Sequence, residues 1–466
     1  MAILQRLYRL VWGAPALALI LGAGLLLSLR TGFAQIRLLP RALRQFCARM
    51  AGQEQGQGGT SSFRALCTAL AATVGTGNLA GVAGAIAIGG PGAIFWMWIC
   101  GILGMMLKFA EATLAVAYRS KNAAGETVGG PMYMICRGMG KKWRFIAWIY
   151  CFFGVIAAFG VGNATQINTV ISSAQDMLRF LGVQELPWLK LALGAVLAAL
   201  IGCMLLGGAQ RIGRTAEALV PFVAALYLLL GAMVLALRWE AIPAAFAAIV
   251  RGAFQPAAVT GGMVGSAMSA LRIGVSRGVF TNEAGMGTAA IAHAAATVKH
   301  PVEQGMMGIV EVFLDTIVIC TITALVILCS GVDLPYGVDV GVSLTTEGFA
   351  AVLGPWVSVV IALSLCLFAL ATVLGWGFYG IRCAQFLFGQ KAWKCFVYLQ
   401  VATVVLGSVL ETGTVWLLAE IINGLMAIPN LIALLALSPQ LVKLIKSYKR
   451  EMIGEEHENI HQCQPL

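Results

Sequence analysis

Residues Thr73 to Gly81 read TVGTGNLAG and could bind ions in the middle of an apolar segment. The surrounding segment, 66–88, is long enough to cross a bilayer. Glycines allow a helix to unwind, which leaves free N–H groups at the start of one half and free carbonyls at the end of the other. The N–H end attracts a carboxylate, whereas carbonyls with threonine and asparagine oxygens attract a small cation such as sodium. The pattern predicts a broken helix that holds a zwitterion and its coupling ion.

These glycines have two alternative interpretations. A phosphate-binding loop needs a preceding strand and a soluble βαβ unit, and neither is indicated by the sequence. Gly77 and Gly81 form a GxxxG pair that could serve only helix packing. Packing does not account for Thr73, Thr76 and Asn78, because polar side chains at membrane depth need a partner, water or a ligand.

A second interrupted helix is expected if the chain consists of two inverted halves. The stretch from Thr260 to Ala289 is again rich in glycine, with Ser266, Ser269 and Asn282 among apolar residues. It follows the first stretch by about five spans, and an odd number of spans per half places the halves upside down relative to each other. The first span is then an extra helix outside the repeat.

The elements that position these stretches are membrane helices. The chain has 466 residues, of which 59% are hydrophobic and 11% charged, and its mean hydropathy is +0.87. Repeated apolar runs of about 20 residues predict helices and exclude the alternating strands of a β-barrel. We predict an all-α polytopic protein with about eleven spans, near residues 14–30, 63–88, 91–118, 145–173, 187–207, 213–237, 256–290, 303–330, 353–379, 394–410 and 414–437.

Lysine and arginine fall in every second loop, which predicts an outside N-terminus and a cytoplasmic C-terminus. The net charge of +11 is therefore topological, and no nucleic-acid partner is expected. The 12 cysteines and four histidines show no metal-ligand spacing, so neither a zinc site nor a disulfide framework is indicated. No cofactor and no enzymatic activity are predicted. The expected location is a bacterial plasma (inner) membrane, with the lipid bilayer as a partner.

Three long motifs resemble the alanine or glycine:cation symporter family, within the amino acid, polyamine and organocation transporters. They are 68–98 (TALAATVGTGNLAGVAGAIAIGGPGAIFWMW), 277–295 (RGVFTNEAGMGTAAIAHAA) and 423–434 (NGLMAIPNLIAL). The resemblance covers nearly the whole chain. It implies a leucine-transporter-type fold with a 5+5 inverted repeat, and sodium-coupled import of alanine or glycine by alternating access.

The resemblance also implies roles at matching positions. Backbone and side chains of the first broken helix would hold the substrate carboxylate, Gln166 would contact the substrate, and the region 261–268 would supply carbonyls for its ammonium group. Trp376 would limit side-chain size, although a packing role for Gln166 and a lipid-boundary position for Trp376 are alternatives. The predicted substrate residues are Thr76, Gly77, Asn78, Gln166, Gly261, Gly262, Met268 and Trp376; the predicted sodium residues are Val74, Gly75 and Thr372.

The chain departs from the family pattern at Ala371, where a serine is expected, and at Leu417 and Glu420, where an asparagine and an aspartate are expected. The first departure removes a hydroxyl from the suspected cation site. Buried charges are interpreted as structural or gating groups. Lys108 and Glu111 are expected to pair with each other on one helix face. Glu283, beside Arg277, is expected in a cytoplasmic gate, and Glu311 with Asp315 is expected to line a water-filled path. The gating candidates are therefore Arg277, Glu283, Glu311 and Asp315.

The sequence predicts a sodium-coupled symporter of small neutral amino acids that functions as a monomer. Proton coupling is the alternative within this class, and an amino-acid-permeable channel is the alternative outside it. The predicted organisation is an extra helix with an arginine-rich cytoplasmic loop at 1–62, the first repeat at 63–238, the second at 239–440 and a cytoplasmic tail at 441–466.

Overall fold

The computed structural model describes residues 4, 6–7, 11–52, 60–180, 187–262, 264, 266–338, 341–409 and 412–462. Its main helices are Ala14–Thr31, Ala34–Met50, Ser62–Thr73, Gly77–Gly81, Val82–Gly89, Gly92–Ala117, Arg144–Phe159, Gly160–Ala164, Thr165–Phe180, Pro187–Leu206, Gly208–Leu237, Ile242–Phe254, Pro256–Thr260, Ala267–Asn282, Thr288–His293, Pro301–Val312, Phe313–Cys320, Thr321–Cys329, Ser343–Leu353, Val357–Phe388, Ala392–Val409, Thr412–Ala436 and Ser438–Gln462.

Short elements connect two of these helices on the predicted cytoplasmic side. Strands Ser120–Lys121 and Thr127–Val128 pair antiparallel as a hairpin. Helical turns follow at Pro131–Tyr133, Met134–Met139 and Lys141–Trp143. In a separate connection, the turn Trp239–Ala241 links Gly208–Leu237 to Ile242–Phe254. The hairpin places Glu126 near the end of the long helix Val357–Phe388.

The protein is mostly helical, as predicted. Within the described residues, seven helices are long and apolar enough to cross a membrane, and counting three bent pairs as single spans gives up to ten. The span predicted near 256–290 is not among them because the chain divides it into three helices, Pro256–Thr260, Ala267–Asn282 and Thr288–His293. The count of eleven and the repeat boundaries stay predictions.

The spans divide into inner and outer sets. Gly92–Ala117 buries 67% of its most apolar window inside the protein and Pro301–Cys329 buries 61%, whereas Trp188–Leu206 buries 28%. The inner helices carry the charged side chains Lys108, Glu111 and Glu311, all fully buried. Charges at membrane depth are tolerated where they face the bundle interior and find partners.

The first predicted break is present. Helix Ser62–Thr73 is followed by a bend of 52° before Gly77–Gly89, and its first turn is capped by the Ser61 hydroxyl, which accepts from the Arg64 N–H. Val74 is extended, with ψ 107°. The Gly75 N–H then donates to Asn78 Oδ1 at 2.8 Å, so a side chain replaces the lost helical acceptor.

The second break lies between Asn282 and Thr288. Glu283, Gly285 and Gly287 have positive φ values of 53°, 90° and 76°, which a right-handed helix cannot accommodate. Glu111 Oε1 accepts from the N–H groups of Gly285 at 2.9 Å and Gly287 at 3.2 Å. A buried carboxylate from the neighbouring helix thus satisfies backbone donors that the break releases.

Two segments predicted as a loop and a tail are helical. The arginine-rich segment forms Ala34–Met50, at 81° to the preceding span. The C-terminal segment forms Ser438–Gln462, bent by 58° from the helix before it. Both are rich in residues with good helix propensity, such as Leu, Lys, Arg and Glu. Their charges mark loop positions, but charge alone does not exclude a helix.

Candidate functional site

A closed cavity lies where the two broken helices meet. Its lining comes from both breaks and from the helices that face them: Ala72, Thr73, Gly75, Thr76, Gly77, Val161, Gln166, Phe280, Glu283, Thr372 and Trp376. Its free volume is about 10 Å³, about the room for one water molecule. An amino acid fits only after the surrounding helices move apart, so the structure represents a closed arrangement of this cavity.

Glycines bring the first break close to its neighbours. A Cβ atom placed on Gly75 would lie 2.7 Å from Thr372 Oγ1, and one on Gly77 would lie 3.2 Å from Thr281 Cγ2. A Cβ on Gly162 would overlap the Trp376 side chain. Side chains at these positions would push the helices apart, which explains why glycines surround the cavity.

Two predicted substrate residues are joined at the cavity. The Thr76 hydroxyl donates to Gln166 Oε1 at 3.0 Å, and Gln166 Nε2 donates to the Val161 carbonyl at 3.2 Å. Gln166 is buried, following the π-helical turn Gly160–Ala164. The contact joins the first break to the helix that contains Gln166, so this side chain both packs between helices and lines the cavity.

Glu283 is the one charged side chain among the described residues that line the cavity. Its Oε1 accepts from Trp376 Nε1 at 2.8 Å and its Oε2 accepts from the Thr288 hydroxyl at 2.6 Å. The sequence predicted Glu283 in a cytoplasmic gate beside Arg277. The helix break instead points the Glu283 side chain into the cavity. The sequence contained a signal for this position, because Glu283 lies two residues before Gly285, a glycine that can interrupt a helix.

Trp376, predicted as a pocket wall, is 1% exposed and lines the cavity. Trp376 therefore does not lie at the lipid boundary, which was the alternative interpretation of this residue. Three other predicted substrate contacts do not line the cavity: Gly261 and Gly262 are exposed, and Met268 is 69% exposed. Gly261 and Gly262 end Pro256–Thr260 with φ values of 62° and 88°, so this glycine pair makes a surface turn and the buried break lies further along the chain.

Asn78 lies behind the cavity wall and is fully buried. Its Oδ1 accepts from the Gly75 N–H at 2.8 Å, and its Nδ2 donates to Asp315 Oδ1 at 2.7 Å. Thr316 Oγ1 donates to Asp315 Oδ2 at 2.8 Å. In this arrangement the Asn78 side chain shapes the break and does not face the predicted substrate position.

The predicted sodium residues are adjacent. Thr372 Oγ1 faces Gly75 and donates to the Phe368 carbonyl at 3.0 Å, which leaves its oxygen lone pairs available to a cation. Val74, with its extended backbone, completes the predicted set. Ala371 is buried beside Thr372 and contributes no oxygen from its side chain.

Several predicted charge partners differ from the structure. Lys108 Nζ donates to Glu311 Oε1 at 2.9 Å, whereas Glu111 accepts from the second break and from Asn430 Nδ2 at 2.8 Å. The expected pairing of Lys108 with Glu111 is therefore wrong, because helices packed alongside offer better partners than the same face. Glu311 and Asp315 are fully buried and line neither the closed cavity nor the two larger open cavities formed by the described residues.

Arg277 pairs with Glu420, not with Glu283, at 3.1 Å between Nη1 and Oε1. Glu420 is thus the partner of a gating candidate, which gives that departure from the family pattern a structural role. Leu417, the other departure in this helix, is partly buried and packs against the main core. The ion pair connects Ala267–Asn282 to Thr412–Ala436.

Open cavities lie on opposite sides of the closed one. On the predicted outer side, a cavity of about 300 Å³ is lined by Ser173, Met177, Val342, Ser343, Thr346, Glu347, Ser358, Val359, Ala362 and Leu365. On the predicted inner side, a cavity of about 380 Å³ includes Arg64, Thr68, Glu126 and Arg382. A buried site between two vestibules is the arrangement expected for alternating access.

Comparisons with known proteins show the family of the chain. The family model described as "Sodium:alanine symporter family" matches residues 1–462. The sodium/alanine symporter AgcS of Methanococcus maripaludis is 42% identical over 442 residues, with 94% of this chain and 95% of AgcS covered. An uncharacterized transporter of Haemophilus influenzae is 43% identical, with 96% of each chain covered.

A solved structure confirms the predicted leucine-transporter-type fold. The crystal structure of MhsT in complex with L-phenylalanine superposes with a TM-score of 0.57 at 15% identity, covering 80% of this chain and 89% of MhsT. At this identity the similarity concerns the fold alone.

Proposed function

Since the chain belongs to the sodium:alanine symporter family, we propose that it imports alanine or glycine together with sodium by alternating access. It is a multi-pass membrane protein, and its family and fold indicate transport, not catalysis. The observation that carries the proposal is the cavity between two helix breaks, lined by a helix N-terminus, one amide and one carboxylate.

The first break offers a site for the substrate carboxylate. Thr76 and Gly77 begin the second half of the helix and line the cavity. The first N–H groups of a helix have no intrahelical acceptor and carry the positive end of the helix dipole. A carboxylate placed there is stabilised without a buried arginine or lysine, and the Thr76 hydroxyl could donate to it by turning away from Gln166.

Glu283 offers a partner for the substrate ammonium group. Each of its carboxylate oxygens accepts one hydrogen bond in the structure, and a carboxylate can accept about four. An ammonium group entering the cavity would therefore be hydrogen-bonded without displacing Trp376 or Thr288. Negative charge at the second break and positive dipole at the first are complementary to a zwitterion.

The coupling ion would bind beside the substrate. Val74 and Gly75 supply backbone carbonyls where the first half of the helix ends, and Thr372 supplies a hydroxyl. Sodium, as a hard cation, prefers oxygen ligands of this kind. Because the substrate and ion sites share the same break, each bound species favours the same closed arrangement, and this gives coupling. One chain holds all these residues, so we propose that the monomer transports.

Uptake of labelled alanine into proteoliposomes tests the proposal. With an inward sodium gradient we expect accumulation above the external concentration, and replacement of sodium by choline should abolish it. Accumulation that persists in choline and follows a pH gradient would favour proton coupling instead. Simple equilibration without accumulation would favour a channel.

A further inference from the structure

Asp315 carries a buried carboxylate that the proposed transport mechanism has not used. It lies in the π-helical turn Phe313–Cys320 and is fully buried. Asn78 Nδ2 donates to its Oδ1 at 2.7 Å, and Thr316 Oγ1 donates to its Oδ2 at 2.8 Å. Both carboxylate oxygens accept hydrogen bonds, as expected of an ionised side chain.

This carboxylate has no cationic side chain in contact with it. None of the ion pairs formed by the described residues includes Asp315. Lys108, the buried cation on the same side of the bundle, donates instead to Glu311, which also contacts His293. An unpaired charge in a low-dielectric interior is strongly disfavoured, and neutral donors offset only part of that cost.

Asn78 connects Asp315 to the proposed sodium site. Its amide nitrogen donates to Asp315, and its carbonyl oxygen accepts from the Gly75 N–H. Gly75 in turn lies against Thr372 Oγ1. The negative charge is therefore separated from the proposed ion by one side chain and one peptide, through groups held by short hydrogen bonds.

We propose that Asp315 supplies the fixed negative charge that balances the coupling cation. Asp315 is not itself a ligand of sodium, and it sets the affinity for sodium through Asn78. This inference rests on the proposed sodium coupling. Bound sodium compensates the buried carboxylate, and the carboxylate in turn raises the affinity for sodium. Asp315 is a positioning residue in this scheme, because it holds Asn78 and contacts neither substrate nor ion.

The test compares Asp315→Asn with Thr316→Val. Asparagine has nearly the same shape as aspartate and keeps an oxygen that can accept from Asn78, so the variant removes mainly the charge. Thr316→Val removes the hydrogen bond to Asp315 and the acceptor of Asn282 Nδ2 but keeps the charge. Two readouts are measured as functions of sodium concentration: alanine uptake, and thermal stabilisation of the purified protein without alanine.

We expect Asp315→Asn to raise the half-saturating sodium concentration at least about tenfold in both readouts, the scale of one charge acting in a partly screened interior. Alanine affinity at saturating sodium should stay close to that of the unmodified protein. Thr316→Val should shift the sodium curve much less. If Asp315→Asn does not fold, Asp315→Ser must show the same sodium shift.

An unchanged sodium curve in a folded neutral variant overturns the inference. So does the loss of a bound sodium ion from Asp315→Asn at saturating sodium, because that result would make Asp315 a direct ligand of the ion. Sodium-independent uptake by the unmodified protein would instead refute the proposed function, so the two failures are distinguishable.

Discussion

Trp376 donates its indole N–H to Glu283 at 2.8 Å, across the closed cavity. The contact joins helix Val357–Phe388 to the second helix break. It fixes the orientation of the indole, and the ring fills space that a larger substrate side chain would need. The carboxylate that could bind the substrate is thus held by the residue that could limit substrate size.

Replacing Trp376 should therefore change selectivity. We expect Trp376→Ala to let leucine compete with labelled alanine, because removing the ring opens the cavity to larger side chains. Trp376→Phe is the matched control: it keeps a smaller aromatic wall and removes the N–H donor, so leucine should compete much less than in Trp376→Ala. Strong competition by leucine in the unmodified protein would show that the substrate side chain lies elsewhere.

Neutralising Glu283 should weaken alanine binding. We expect Glu283→Gln to reduce affinity by about 1.5–3 kcal/mol, the usual value of a hydrogen bond to a charged group. Equilibrium binding of labelled alanine at saturating sodium measures it. Glu420→Gln removes a carboxylate that pairs with Arg277 outside the cavity, and it should leave alanine affinity nearly unchanged. Equal affinity in Glu283→Gln and the unmodified protein would contradict the assignment.

The first break should tolerate a methyl group at one glycine and not at another. An added Cβ at Gly75 would lie 2.7 Å from Thr372 Oγ1, whereas one at Gly81 would make an ordinary contact of 3.7 Å. We expect Gly75→Ala to cost about 1–3 kcal/mol of sodium binding through overpacking, and Gly81→Ala to behave like the unmodified protein. Alanine uptake is measured against sodium concentration for both variants and the unmodified protein. Indistinguishable curves for Gly75→Ala and the unmodified protein would mean that Gly75 does not adjoin the ion.

Ala371 and Thr372 should together set the sodium concentration needed for half-maximal transport. Thr372→Ala should nearly abolish sodium coupling, because a hard cation cannot replace a lost oxygen ligand with a methyl group. Ala371→Ser should lower the half-saturating sodium concentration if the added hydroxyl reaches the same ion. Uptake against sodium concentration is measured for the three proteins. A Thr372→Ala variant with the original curve would place the cation site elsewhere.

The hairpin on the predicted inner side should restrict access to the inner cavity. Glu126 Oε2 accepts from Arg382 Nη1 at 2.7 Å, and both residues line that cavity. Burial alone would raise the pKa of Glu126, but the hydrogen bond and charge of Arg382 outweigh it and lower the pKa. The pair is therefore present at neutral pH and is lost as pH falls through the lowered pKa of Glu126.

We expect Glu126→Gln to speed thiol labelling of Ala295→Cys, a position that lines the inner cavity, in a protein whose exposed native cysteines are replaced. Asn122→Ala is the control: it removes the hydrogen bonds that Asn122 makes in the hairpin, including the one to Glu126 Oε2, and keeps both charges of the ion pair. Equal labelling rates with and without the Glu126 carboxylate would show that the pair does not restrict access.

The first break was predictable from the sequence, because threonines and an asparagine beside glycines at membrane depth need polar partners that plain helix packing does not supply. The second lies within the predicted stretch 260–289, but the substrate contacts were placed at its start, in 261–268, because Gly261 with Gly262 and Gly285 with Gly287 look alike as patterns. Only packing shows that the first pair forms a surface turn. The partner of Lys108 was also missed, since helical spacing reveals neighbours on the same helix and not Glu311 on the adjacent one.

Glu283 adopts a left-handed backbone conformation, with φ 53°. A residue with a Cβ loses about 1 kcal/mol of stability in that conformation, and glycine does not. Glycine would relieve that strain, but it would also leave the buried Trp376 N–H and Thr288 hydroxyl without their acceptor, a cost of about 1–3 kcal/mol. The strain of one residue is thus offset by the hydrogen bonds that its side chain accepts, and the same carboxylate is left available to a ligand at no net cost to the fold.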